Sequence, residues 1–236
     1  MRKLFKDYIN TSYNLYSYRE DIEWANFWID KANQKVTKRI LLIGDSTARM
    51  IRSTLSKFLN VPVDLFASSS ALDDVLFVNQ IDDFFCTNTY NYDLIFVQIG
   101  HHSRMAKDGS VYTDEDYDTF MHSYESLLLF LKQYSDMVIA EPVFLSYLPL
   151  PPFYKLLYLL HVPYKENKDD KVNYIKERKN MLIKQAAQKQ NVILFDIVSF
   201  AENSNLYHSD HIHYHKRSVK LIAKEMAKYI TSFSEK

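Results

Sequence analysis

The stretch Arg39-Ile40-Leu41-Leu42-Ile43-Gly44-Asp45-Ser46-Thr47 decides the fold. Its aliphatic residues run consecutively for the length of a strand, without alternation, as expected of a strand buried on both faces. One glycine ends the run, Asp45 and Ser46 follow, and Ala48 to Phe58 reads as a helix. Ser46 therefore stands where a buried strand gives way to a helix N-terminus, whose free backbone N–H groups attract negative charge. That suits a nucleophile whose reaction builds charge on oxygen. Taken alone, a serine before a helix is more often an N-cap.

Outward from this stretch the rhythm repeats. Apolar strands are expected at 39–43, 62–67, 93–99, 136–140 and 191–195, separated by helices near 47–59, 71–85, 114–134, 170–190 and 215–232. Short apolar runs alternating with longer periodic segments predict βαβ units and a parallel sheet covered on both faces. No repeat or linker divides the chain. Residues 1–35 read as an N-terminal helical extension, with a helix over Arg19 to Ala32 packing on the core or a partner, and 36–236 as the main domain. Residues 142–167 break the rhythm with five prolines among aromatics and leucines. They are expected to form an inserted lid-like or packing segment, with Phe153 to Leu160 as a short apolar helix.

Composition narrows the class of protein. A chain of 236 residues, 47% apolar and 25% charged, fits one globular domain with a sizeable core. Lysine plus arginine equals aspartate plus glutamate at 29 each, so no overall field favours nucleic acid or an anionic membrane. The single cysteine, Cys86, precludes an intrachain disulfide or a multi-thiolate zinc site. No apolar run is long enough to span a bilayer, and residues 1–7 lack the apolar segment of a signal peptide, so the expected location is cytoplasmic. Only three glycines occur; Gly44 and Gly100 each directly follow a predicted strand.

Two downstream segments give Ser46 its weight. A serine nucleophile needs a base, and the base needs a carboxylate to hold its tautomer. Asp210 and His213, three apart just before the last helix, supply both if their loop folds back over the strand ends. His208, His211 and His215 crowd the same loop; they read as solvated extras or, third in order, as metal ligands with Asp210. The other segment, Leu94 to Arg104, is a buried strand ending in Gly100, with His101, His102, Ser103 and Arg104 at the sheet edge where open α/β sheets bind ligands. His102 or Ser103 can donate a hydrogen bond to an oxyanion there.

In these blocks the chain resembles the SGNH, or GDSL-type, hydrolase superfamily. Gly44-Asp45-Ser46 matches the first block and Asp210-x-x-His213 the last; the resemblance spans roughly Arg39 to the C-terminus. It implies a flavodoxin-like three-layer sandwich around a five-stranded parallel sheet of order 2-1-3-4-5. It also implies a serine esterase without cofactor or metal, with Ser46 as nucleophile, His213 as base and Asp210 as its orienting acid. Two middle blocks depart from the family pattern. Ala67-Ser68-Ser69-Ser70 replaces the glycine of the second block, so Ser68 or Ser69 is expected to give the backbone N–H. His102 occupies the asparagine position of the third block. The implied oxyanion hole is thus Ser46, Ser68 or Ser69, and His102. Divergent proteins with a histidine here resemble those linked to bacterial surface-glycan biosynthesis, which implies a glycan or small-molecule ester as substrate.

Three alternatives stay open. The same machinery is an O-acyltransferase if a sugar hydroxyl displaces water. The altered middle blocks suit a non-catalytic glycan-binding protein on the same fold. The cluster from His208 to His215 would suit a metal-dependent hydrolase. Arg49, one turn from Ser46, and Arg104 are candidate grips for a carboxylate or phosphate of the substrate, whereas Arg52 reads as a solvated helix residue.

Overall fold

The computed structural model describes residues 2–10, 15, 17, 22–88, 90–102, 112–148, 160, 167–204 and 206–234. They form a central sheet of six strands: β1 (Ala25–Trp28), β2 (Ile40–Gly44), β3 (Val63–Ser68), β4 (Leu94–Gln98), β5 (Val138–Ala140) and β6 (Ile193–Leu194). The order across the sheet is β1-β3-β2-β4-β5-β6. The five strands from β2 onward are parallel and follow the expected order, but β1 pairs antiparallel with β3, so the sheet is mixed and one strand wider than expected. The helices are α1 (Ser46–Leu59), α2 (Val75–Thr87), α3 (Asp114–Leu131), α4 (Asp170–Lys189), α5 (Ile197–Asn203) and α6 (Lys216–Ser234).

The side chains of β2 show why the sheet must be covered twice. Leu41 and Ile43 join a core with α2, α3 and α4, while Ile40 and Leu42 join another with α1, α5 and α6. Successive side chains of a strand point to opposite faces, so an unbroken aliphatic run feeds two cores at once. The result is an α/β three-layer architecture. Polar residues punctuate the helices: Asp45 caps α1 by accepting from the Thr47 N–H, and Asn60, at φ 52°, ends it in the left-handed region. Thr113 and Asp116 close a reciprocal capping box on α3.

The helix expected over Arg19 to Ala32 is not formed by its described part. Ala25–Trp28 is the antiparallel edge strand, with Phe27 packed on Phe66 and Phe84. Its apolar residues fit a helical period, but bonding to the open edge of β3 satisfies its backbone groups as well, and tertiary pairing overrides local pattern here. Nor do residues 2–10 stand apart. Phe5 is fully buried between Phe77 and Phe130, and its N–H donates to Asp82.

The start of the segment expected as an insertion is core: Val143, Phe144 and Leu145 are buried and Ser146 N–H donates to Asn173. Residues 149–159 and 161–166, with the short helix expected there, lie outside the described residues. No helix among the described residues is long and apolar enough to cross a membrane.

Candidate active site

β2 and β3 run in register with Gly44 opposite Ala67, and β2 and β4 with Gly44 opposite Gln98, so the turns after these strands share one edge of the sheet. Gly44 lets α1 leave that edge closely packed. A Cβ on it would lie 2.6 Å from both the Ala48 Cβ and the Gln98 carbonyl oxygen, which no larger residue accommodates without displacing backbone. Ser46 is thereby the first residue of α1, half-buried, with an N–H that has no acceptor within its own helix.

The loop before α6 folds back onto this edge. Tyr207 to His215 doubles over as a tight hairpin, bonded between Ser209 N–H and His213 O at 2.7 Å and between His215 N–H and Tyr207 O at 2.8 Å. The chain after β5 braces it. His208 stacks between Tyr147 and Tyr214 at 4.1 Å from each, and Tyr147 N–H donates to His211 O at 2.9 Å. At the hairpin tip Asp210 Oδ1 accepts from the N–H groups of Ile212 and His213 at 2.9 and 2.8 Å. Its Oδ2 lies 2.8 Å from His213 Nδ1, and His213 Nε2 lies 2.7 Å from Ser46 Oγ. The carboxylate accepts the Nδ1 proton, which leaves the Nε2 lone pair facing the serine hydroxyl. Partial burial raises the Asp210 carboxyl, but the two N–H groups and the imidazole outweigh it and hold the pKa below the ordinary value, so this acceptor stays ionised.

The other histidines do not join it. His208 is held in its aromatic sandwich, His211 is exposed, and His215 Nδ1 faces the Arg217 N–H. Among the described residues no three His, Cys, Asp or Glu side chains are grouped to hold a metal ion.

The middle blocks need one correction. Ser69 N–H donates to Trp24 O at 3.0 Å and its hydroxyl accepts from Trp24 N–H at 2.9 Å, because β1 extends the sheet past the end of β3. Ser69 N–H is thus engaged, and Ser68, whose hydroxyl bonds Gln80, is the last residue of β3 with its own N–H turned to the β2–β3 ladder, so neither expected N–H is free for an oxyanion. His102 is half-buried beside the buried Asp45, near enough that the pair's attraction opposes the rise of the Asp45 carboxyl caused by burial. Ser103 and Arg104 lie outside the described residues. Arg52 is not a solvated residue: it donates to Val63 O at 3.1 Å and lies over Trp28. Arg49 is exposed, with its guanidinium 4.7 Å from the centre of the Trp24 ring.

Two lysines hold the third-block turn. Gly100 has φ 137°, a conformation that L side chains rarely adopt, and Lys179 Nζ donates to Gly100 O and His102 O at 3.0 and 3.2 Å. Lys176 Nζ donates to Phe144 O, Ser146 Oγ and His101 Nδ1 at 3.1, 2.8 and 2.9 Å. An ammonium offers three protons, so Nδ1 of His101 must accept and its proton sits on Nε2, facing Asp45 Oδ2 at 3.8 Å. Burial, then the Lys176 charge, drives His101 well below its ordinary pKa and keeps it neutral. Sequence reading missed both lysines. Their signal was polar residues at 173, 176, 179 and 180, the inward face of a helix whose later turns bury Ile183, Ala186 and Ala187.

Burial pushes both lysines down to about 8, against nearby Asp45 for Lys176 and Asp73 and Asp116 for Lys179. Below pH 8 the folded and unfolded chains are both protonated at these sites, and the cost of burying the charge is carried in full. Between about 8 and the ordinary lysine value of about 10.4 the unfolded chain keeps the proton and the folded chain releases it, so stability rises with pH across that window. Lys179→Met is expected to flatten that rise, measured as urea midpoints between pH 7.5 and 10. An unchanged slope would show that Lys179 is not the titrating group.

Comparisons with known proteins agree on the fold. No protein-family model and no curated protein matches the sequence. Solved structures do match. One is a protein described as an SGNH hydrolase from Slackia heliotrinireducens, at TM-score 0.56 and 18% identity over 83% of this chain and 100% of that one. Another is the acetylxylan esterase Axe2 from Geobacillus stearothermophilus, at TM-score 0.55 and 14% identity over 82% and 94%. The acetyl xylan esterase AlAXEase matches at TM-score 0.55 and 16% identity over 81% and 99%. Two further Axe2 structures are described as catalytic mutants, one with a serine and one with an aspartate replaced by alanine. The chain has the SGNH-hydrolase type of α/β fold, in a divergent version.

Proposed function

We propose that this chain is a serine esterase that removes a short acyl group, acetyl in the first instance, from a carbohydrate or small-molecule ester through an acyl-enzyme. The observation that carries this reading is the relay Ser46 Oγ–His213 Nε2–Asp210, with contacts of 2.7 and 2.8 Å, built from residues 167 positions apart. Ser46 Oγ attacks the ester carbonyl while His213 Nε2 takes its proton, and Asp210 steadies the imidazolium that forms. The carbonyl oxygen becomes an anion for which the N–H of Ser46 and the ring of His102 are the candidate donors. His213 then gives its proton to the departing alkoxide, and water, deprotonated in turn by His213, releases the acid. The acetylxylan esterases among the structural neighbours support acetyl as the acyl group and a glycan as its carrier.

The side chains of His213 and Asp210 keep 34% and 49% of their surface exposed, so water can reach the acyl-enzyme. A fluorophosphonate probe tests the reading. It is expected to label Ser46, with labelling lost on His213→Ala because the serine is then not activated. Absence of labelling in the wild-type protein would favour a non-catalytic role for the same fold.

A further inference from the structure

We infer that Arg49, laid across Trp24, is the receptor for an anionic group of the substrate, a carboxylate or phosphate carried within about one sugar ring of the ester that Ser46 attacks. The inference rests on the esterase reading of Ser46 and specifies the class of ester it takes.

Ser46 and Arg49 are three apart on α1, so their side chains share one helix face, with Cβ atoms about 5–6 Å apart. Trp24 reaches the same place from a distant part of the chain. Its backbone is tied to Ser69, just past the end of β3, by bonds of 2.9 and 3.0 Å, and Ala67 of that strand lies opposite Gly44. The indole, half-buried, is a fixed shelf on which the guanidinium rests at 4.7 Å. Stacking of this kind orients the guanidinium plane and leaves its N–H edges open for a bidentate partner.

Those edges have no partner among the described residues. Arg39 pairs with Asp64, Arg52 bonds Val63 O near Asp30, and Arg178 pairs with Asp114, whereas the Arg49 side chain makes no hydrogen bond or ion pair. Glu23, next to Trp24, has its Oε2 on the Ser69 hydroxyl at 3.1 Å. Across the site Asp210 is bound to His213. Helix stability does not account for a cation here either. The first turn of α1 contains no acidic residue, and a positive charge near a helix N-terminus opposes the macrodipole. What the position provides is a cation beside the nucleophile, with an oriented fork that has no partner among the described residues.

The test separates binding from turnover. Calorimetric titration of Ser46→Ala protein with methyl glucuronoside, glucose 6-phosphate and methyl glucoside is expected to show at least about tenfold tighter binding of one anionic sugar than of the neutral one. Which of the two prevails distinguishes a carboxylate from a phosphate. The preference is expected to vanish in Ser46→Ala/Arg49→Gln and to return in part in Ser46→Ala/Arg49→Lys, with the melting temperature of each reporting that it is folded. Equal binding of all three sugars, or a preference that survives Arg49→Gln, overturns the inference. Wild-type turnover of acetylated glucuronide against its neutral methyl ester is the kinetic arm, with an expected ratio of kcat/KM above ten that falls towards one in Arg49→Gln. Anion preference in binding without turnover of any ester would overturn the esterase reading and leave the anion site standing. Turnover of 4-nitrophenyl acetate without anion preference would do the reverse.

Discussion

Replacing Ser46 by alanine is expected to lower kcat on 4-nitrophenyl acetate by about 10⁴- to 10⁶-fold while leaving the fold intact. The size follows from the relay. Without Oγ there is no group to attack the carbonyl, and His213 Nε2, which faces that oxygen at 2.7 Å, has no proton to take. The fold is expected to persist because Asp45, not Ser46, caps α1, and because among the described residues the hydroxyl bonds only His213. Steady-state kinetics and the far-UV spectrum of the variant check both halves. A loss under tenfold would remove Ser46 from the chemistry.

The second large effect is on stability and lies at the opposite edge of the sheet. Arg39 Nη1 bonds Asp64 Oδ1 and Asp30 O at 2.7 Å each, with both charged side chains almost fully buried. Asp64 also accepts from the Asp30 N–H at 2.9 Å and from Tyr92 OH at 3.1 Å, and the Arg39 guanidinium lies over the Tyr90 ring. Burial already pushes the Asp64 carboxyl up, and the Asp30 N–H and Arg39 are what hold its charge. Arg39→Met strands that charge and is expected to cost about 3–5 kcal/mol, or roughly 6–20 °C in melting temperature. The double variant Arg39→Met/Asp64→Asn is expected to recover part of the loss, because neither site then carries a buried unpaired charge. A single variant that melts within about 2 °C of the wild type would show that the pair contributes little.

This pair also shows why part of the architecture was illegible in the sequence. Arg39 reads locally as a polar residue ahead of a strand, and Asp30 and Asp64 as unrelated acids. The β2–β3 register sets Arg39 beside Asp64, and the joining of the N-terminal segment to the sheet through β1 brings Asp30 to the pair. The same joining engages Ser69 with the Trp24 backbone and delivers Trp24 to Arg49. A helical period in Ile22 to Ile29 pointed the other way, since nothing in a short window records an open strand edge nearby.

The lysines of α4 were legible in principle. Asn173, Lys176, Lys179 and Asn180 face inward on a helix whose C-terminal half buries alanines and isoleucine, so polar groups at those positions required partners inside the fold. Their partners, the carbonyls of Gly100 and His102 and the ring of His101, lie 75 to 79 positions away in sequence.

Aliphatic runs of strand length made the parallel strands and the two-sided core legible, whereas the strand order and the roles expected of Ser46, Asp210 and His213 came from the resemblance of two short blocks to the SGNH pattern. Those runs and blocks are contiguous in the chain: Gly44-Asp45-Ser46 stands at a strand end, and Asp210 and His213 lie within one turn. The sixth strand, the partners of the buried lysines and the engagement of Ser69 were set only in the folded chain. These depend on which distant backbone and side-chain groups meet, and a buried N–H, carbonyl or charge is satisfied by whatever lies beside it in space.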